Sequence, residues 1–491
     1  MSRLIPVFLA TLTMTASGSP LQDPKSVLER AASALGANKL KSIQYSATGF
    51  NFALGQSPRP DAPWPRFNVK SYSRLINYEN SSSREELVRT QGEDPPRGGG
   101  GQPLAGEQRQ VLMAGGGYAW NMAGDTPTPQ PAAFTERLLQ IWLTPHGLIK
   151  GASASGATVT SAGAGKRGQV VSFKAQKEYT VKGYLDDRGL VEKTETWLPH
   201  PVLGDMHVET LYSDYQDFGG VQFPKRIVQK QGGFPTLELT VSAVEANPSS
   251  GDTPIEPPEV VRQAAAPAPR VDAERLATGV WYLTGGTHHS VAVDFRDHLV
   301  VVEGPLNDER SQAVIAEVKK LAPGKPIKYL LNTHHHFDHS GGIRAYAAEG
   351  TTILTHELNR AYYEKVFAAP RTLAPDALAR SGKKARFETV TDKRELTDGS
   401  RTLVIHHLDS NLHNDGLLMA YLPAEGILIE ADAYTPGPAG APPPSPPNPF
   451  SLNLHDNVKR LGISIKSIAP LHGRQVMLSD LLKAIGRPLT E

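Results

Sequence analysis

Four histidines and an aspartate stand within six residues of Thr333-His334-His335-His336-Phe337-Asp338-His339-Ser340-Gly341-Gly342. Imidazole nitrogen suits zinc and iron, and a carboxylate adds charge and a hard oxygen donor. The spacing divides the donors. His334 and His336 can reach one ion, while Asp338 and His339, further round the same turn, can reach a second. A chance polar loop or a tag-like histidine run is the plain alternative. A tag, however, would carry no aspartate at this place and would not lie between an apolar strand and a helix. The chain has no cysteine, so any metal must be held by His, Asp or Glu. Of its sixteen histidines, thirteen lie beyond Val271, a bias that a two-metal site would produce.

The elements that must position this loop are legible around it. Residues 327–331 form a short apolar run that reads as a buried strand ending in the loop, and the two glycines after Ser340 let the chain turn into a helix near Ile343. From Val271 onward strands and helices alternate. Strands are expected at 280–283, 290–295, 299–303, 352–355, 403–406, 416–422, 426–431 and 463–468, with helices at 308–321 and 452–461. That order suits an αββα sandwich, two sheets face to face with helices outside.

The loop resembles the His-x-His-x-Asp-His signature of the metallo-β-lactamase superfamily, and the resemblance extends over residues 275–480. It implies further ligands at three distant strand ends. His413 resembles the third histidine of the first metal, Asp432 the carboxylate that bridges both metals, and His472 the last ligand of the second. The implied set is therefore His334, His336, Asp338, His339, His413, Asp432 and His472, with Asp338 also orienting the nucleophile. Two zinc ions per chain are implied, with iron or manganese as alternatives. A bridging carboxylate is generally absent from true β-lactamases of the superfamily and present in its glyoxalase II-like hydrolases, lactonases and phosphodiesterases. Tyr434 resembles the tyrosine that polarises a carbonyl in the lactonases, although its spacing differs. His288, His289, His298, His335, His406, His407 and His455 have no counterpart as ligands and are read as supporting, surface or loop residues. The function implied is hydrolysis of an ester, lactone, thioester, amide or phosphodiester. A mononuclear iron, persulfide-dioxygenase-like oxidoreductase is one rival. A periplasmic apolar-ligand-binding protein with a vestigial metal site is the other.

The rest of the chain bounds these readings. At 491 residues, two or three domains are expected. A net charge of +1 gives no field that would draw nucleic acid. Residues 1–18 read as an export signal: Arg3, an apolar stretch over 4–14, then small residues to Ser19. The protein is thus expected to be periplasmic or secreted, with no integral membrane segment once the signal is removed. Residues 19–246 alternate in short apolar–polar runs broken by turn signals, a mostly antiparallel β domain with one leading helix over 26–35. The Gly-rich stretches 97–106 and 151–168 read as loops. Residues 212–228 resemble a strand–turn–strand of periplasmic lipoprotein-carrier half-barrels, which implies an apolar ligand or a dimer contact for this domain. Residues 247–270, rich in proline, read as a linker to the hydrolase-like domain at 271–491. The Pro-rich stretch 436–449 is expected to overhang the metal site and bear on the choice of small-molecule substrate.

Overall fold

The computed structural model describes residues 23–161, 168–251, 254–265 and 268–488. The expected export signal at 1–18 lies outside the described residues. No helix among them is long and apolar enough to cross a membrane.

The first half is an antiparallel sheet of thirteen strands among the described residues. Neighbours in sequence are mostly neighbours in the sheet, and the first strand, Ser42–Phe52, pairs with the last, Phe234–Ala246. Three helices cover one face, not the single one expected. Pro24–Leu35 starts on an Asp23 side chain that accepts from the Lys25 and Ser26 N–H groups and stops at Gly36, φ 69°. Phe134–Trp142 and Pro145–Ser155 follow. Val27, Leu35, Leu139 and Leu148 from these helices join Tyr72, Phe173, Val208 and Phe223 from the sheet in one core.

The expected loop over 151–168 is corrected at 151–155, which are helical, and at Thr158–Ser161, a strand, while 162–167 lie outside the described residues. Pro145–Ser155 is helical and buried through Gly147, Gly151 and Ala152. Small residues serve here because a Cβ on Gly151 would lie 2.6 Å from the Phe173 ring. A helix buried through glycine and alanine carries little of the apolar periodicity by which helices are read.

The second half is an αββα sandwich. A seven-stranded sheet from Asp272–Ala277 to Arg386–Val390 faces a six-stranded sheet from Lys393–Thr397 to Val476–Met477. Alternation along each strand divides the side chains between layers. Val300 and Val302 enter the core between the sheets with Leu418, Ala420, Ile427 and Ile429. Leu299 and Val301 point the other way, to the core shared with Val314 and Val318 of the helix Asp308–Leu321. Leu428 and Met419 likewise meet Leu454 and Val458 of the helix Pro449–Leu461. Strands covered on both faces read as continuous apolar runs, which is why 299–302 and 418–422 show no polar alternation.

The two halves are joined by more than the Pro-rich stretch. Arg371 donates to the carbonyls of His200 at 3.0 Å and Val202 at 2.7 Å, and the Asp205 carboxylate accepts from Thr372 N at 2.9 Å. Arg97 is paired with Asp415 at 2.5 Å, and Asn448 donates to the Gly101 carbonyl at 2.8 Å. Phe337, inside the histidine loop, has the His200 ring at 4.7 Å and the Trp64 ring at 5.9 Å. The first half therefore reaches the edge of the metal-ligand loop.

Candidate metal centre

The parallel strand Ile327–Leu331 ends at the C-terminal edge of its sheet and hands the chain to Asn332 and Thr333, both fully buried. His334, His335 and His336 follow in extended chain, and the turn Phe337–Ser340 carries Asp338 and His339. Gly341 holds this turn against its neighbour, since a Cβ there would stand 1.8 Å from the Leu306 carbonyl oxygen. The later strands deliver the distant donors: His413 before Leu418–Leu422, Asp432 after Ile427–Glu430, and His472 after Ser467–Pro470. Asp432 takes a left-handed backbone, φ 57°, which a short carboxylate side chain tolerates better than most.

All seven expected residues converge, in two groups meeting at Asp432. In the first, His334, His336, His413 and Asp432 each present a donor atom within 4.8 Å of the others. His334 Nε2 lies 3.2 Å from His413 Nε2, and Asp432 Oδ2 lies 3.5 and 3.1 Å from them. In the second, Asp338, His339 and His472 are grouped with His288 by the same measure. His472 Nε2 lies 2.9 Å from His339 Nε2 and 2.8 Å from Asp432 Oδ1, while Asp432 Oδ2 is 3.1 Å from His339 Nε2.

Three of the imidazoles, His334, His336 and His339, are held by their other nitrogen, which decides what they offer the centre. His339 Nδ1–H donates to the buried carboxylate of Glu303 at 3.0 Å. Glu303 also accepts from Asn332 at 3.0 Å and from the Thr333 hydroxyl at 2.5 Å, and that hydroxyl stands 3.0 Å from His334 Nδ1. His336 Nε2–H donates to the Ser57 carbonyl at 2.8 Å, and its buried Nδ1 has no protein partner among the described residues. A ring with one nitrogen on a carbonyl and a lone pair on the other is a ligand presented to a cation. The residues therefore fit a pair of divalent ions. The buried Nδ1 of His413 also finds no partner among the described residues, and nothing in the fold accounts for it.

At His334, His336 and Asp338 the electrostatics agree with a ligand role. Burial, then neighbouring imidazoles, hold His334 and His336 well below the usual histidine range, so both rings are neutral. Burial would raise Asp338, but His339 and His288 outweigh it and hold the carboxyl well below the ordinary range. His339 goes the other way: burial lowers it, and Asp432 and Asp338 more than reverse that. Neutral imidazoles and ionised carboxylates are the forms that bind metal.

His335 is kept out of the centre, as expected. Its Nε2 is 3.1 Å from Ser57 Oγ and its Nδ1 3.1 Å from the Asn414 amide. His289, His298, His406, His407 and His455 belong to neither group. His288, read with them as a supporting, surface or loop residue, stands with its Nε2 3.1 Å from Asp338 Oδ2. Three further residues carry no sequence signal: Glu303, Ser57, and Gln56, whose amide donates to Asp338 Oδ1 at 2.8 Å. The last two come from the first half of the chain.

Above the second group opens a cavity of about 670 Å³, floored by Asp338, Asp432 and His472. Pro436, Pro438 and Pro442 overhang it from one side, Gly101 and Gln102 from another. Tyr434 lines it too, its hydroxyl pushed up to about 12 by burial, so it is a proton-bearing donor at neutral pH.

The family model described as Metallo-beta-lactamase superfamily matches residues 283–459. A curated relative, the 2,4-dinitroanisole O-demethylase subunit alpha of Nocardioides sp. (strain JS1661), is 24% identical over 175 residues, 35% of this chain and 48% of its own length. The chain thus spans about half the length of that relative. Among solved structures, a metallo-beta-lactamase from Pontibacter korlensis is 18% identical with a TM-score of 0.35, covering 44% of this chain and 98% of its own. One from Hirschia baltica is 19% identical with a TM-score of 0.34, over 44% and 98%. The rubredoxin oxygen:oxidoreductase of Desulfovibrio gigas is 16% identical with a TM-score of 0.35, over 44% and 61%.

Proposed function

We propose that this chain, whose residues 283–459 belong to the metallo-beta-lactamase superfamily, is a dinuclear metal-dependent hydrolase of small molecules. The observation that carries the reading is the convergence of two separate donor groups on Asp432. A mononuclear iron oxygenase would use only one group, and the other would be a costly burial of imidazoles without a task. A binding protein with a vestigial site would have no reason to keep both.

When bound, a pair of divalent ions would supply a water activated near neutral pH and charge that stabilises an oxyanion. Zinc suits the imidazole-rich donor set, with iron or manganese as alternatives. His334, His336 and His413 would hold one ion, Asp338, His339 and His472 the other, and Asp432 would bridge. Asp338 and Asp432 face the cavity, where they would lower the net charge of the pair and orient the attacking water. Tyr434 donates a hydrogen bond from the cavity wall to a substrate oxygen. The proline overhang and the Gly101 loop narrow the approach to the same space.

Turnover tests this. The protein reconstituted with zinc, iron or manganese is assayed on lactone, thioester, phosphodiester and β-lactam substrates, with an aryl methyl ether added because of the demethylase relative. Hydrolysis of at least one substrate, abolished by chelation and restored by metal, is expected. Metal-independent turnover, or activity only with iron and dioxygen on a persulfide, would overturn the reading. The protein acts, on this proposal, in an exported compartment. Its intact mass from the native host should lack residues 1–18, and retention of Met1 would contradict export.

A further inference from the structure

We infer that His288 is a protein ligand of the second metal ion, so that this site carries three imidazoles where the sequence resemblance implies two. The inference rests on the dinuclear reading and deepens it. His288 lies on the loop between the strands Val280–Thr284 and Ser290–Asp294, outside the histidine motif. A single backbone bridge to His472 fixes its position, reinforced by His289 N–H donating to the Leu471 carbonyl at 2.9 Å. The His288 ring lies 4.1 Å from the His472 ring and 5.3 Å from the His339 ring, centre to centre. One donor atom from each of these three histidines and one from Asp338 all lie within 4.8 Å of one another.

The ordinary role for such a histidine would be to support Asp338 by a hydrogen bond, and the geometry speaks against it. A supporting donor belongs on the carboxylate oxygen that the ion does not use. Here that oxygen is Oδ1, already taken by the Gln56 amide at 2.8 Å. Oδ2 is the oxygen on the side of His339, whose Nε2 is 3.8 Å away, and His288 Nε2 faces this same oxygen at 3.1 Å. His288 Nδ1 is 2.9 Å from Thr287 Oγ1. With Nδ1–H given to that hydroxyl, the Nε2 lone pair is directed at the centre, the arrangement His339 reaches through Glu303. A third imidazole adds no charge. It makes each ion's histidine set equal in number and leaves the second ion fewer positions for water.

The test is metal binding by the full-length chain, which needs no substrate. Wild type, His288→Ala, His288→Gln and the control His289→Ala are titrated with zinc, and with cobalt(II) followed by its visible spectrum. His289 suits as control because its Nε2 is 2.7 Å from the Gly473 carbonyl and its donors belong to neither group. In both His288 variants the first equivalent should bind as in wild type. The second should bind at least 100-fold more weakly, with a changed cobalt spectrum, while His289→Ala matches wild type. The glutamine variant keeps the side-chain bulk, and melting of the metal-free proteins verifies that both fold. The inference is overturned if the second equivalent keeps its affinity and spectrum. A loss of up to about 100-fold with an unchanged spectrum, the range in which a merely supporting histidine falls, overturns it as well. If wild type itself binds a single ion, the dinuclear reading fails, a result read before any variant is compared.

Discussion

The two halves of the metal centre share Asp432 and differ in almost everything else. In the first, His334 and His413 are closed to solvent and His336 is clamped by a carbonyl from the other half of the chain. In the second, the side chains of Asp338, His472 and His288 are 30%, 17% and 12% exposed, and Asp338 and His472 border the cavity. An enclosed donor set retains its ion, and an open one admits substrate. On the proposed dinuclear reading, the asymmetry assigns retention to one ion and exchange to the other.

The largest effect that would sharpen this contrast is at the open half. Asp338→Ala removes a charge and a ligand together, and kcat/KM should fall by several orders of magnitude on whichever substrate the panel yields. A fall below 10-fold would break the assignment. Next, chelation of the wild type should proceed in two phases, the first releasing one ion and abolishing turnover. Release of both ions in one phase would show that the halves do not differ in retention. Gln56→Ala comes third. It leaves every ligand in place but frees Asp338 Oδ1, and loss of such an outer partner typically costs 10–100-fold in affinity. The second equivalent alone should weaken, as read by competition with a zinc dye; weakening of the first would contradict the split. His335→Ala should change least at the metals. It loses contacts to Ser57 and Asn414, so the melting temperature should drop while both ions remain.

The same contrast explains what could be read from the sequence. His334, His336, Asp338 and His339 are legible because one turn of chain carries all four and their order is itself the chemistry. His413, Asp432 and His472 are legible only through the family resemblance, which places a ligand beside each of three apolar strands. His288 is not, because its role arises from a backbone bridge to His472, and a His-His pair on a hairpin loop looks like surface. Glu303 looks like any acidic strand end, yet it is wholly buried under His339. Gln56 and Ser57 sit in a polar loop of the other half, and nothing in their neighbours points across the interface. The helices Phe134–Trp142 and Pro145–Ser155 escaped for another reason. The second buries glycine and alanine where a periodic apolar stripe would be sought.

His146 extends the comparison to a buried imidazole without converging partners. It sits in the first half's core with Nε2 at 3.1 Å from the Leu35 carbonyl, and burial pushes it down to about 4. Its folded pKa lies below an unfolded value near ~6.5. The stability it contributes is therefore complete above that value and is lost as pH falls towards 4, about 3 kcal/mol between pH 7 and 4. Urea unfolding at both pH values should show that loss in wild type and a smaller one in His146→Gln. Equal losses would mean that the ring is already protonated or solvated in the fold.

The most direct test of the account is the number of zinc ions held by the full-length chain and by Asp338→Ala, measured by elemental analysis after equilibration in excess zinc and removal of the unbound metal. Two ions in the wild type and one in the variant are predicted, the survivor being the ion enclosed by His334, His336 and His413. One ion in the wild type, or two in the variant, would contradict a centre built from two unequal halves.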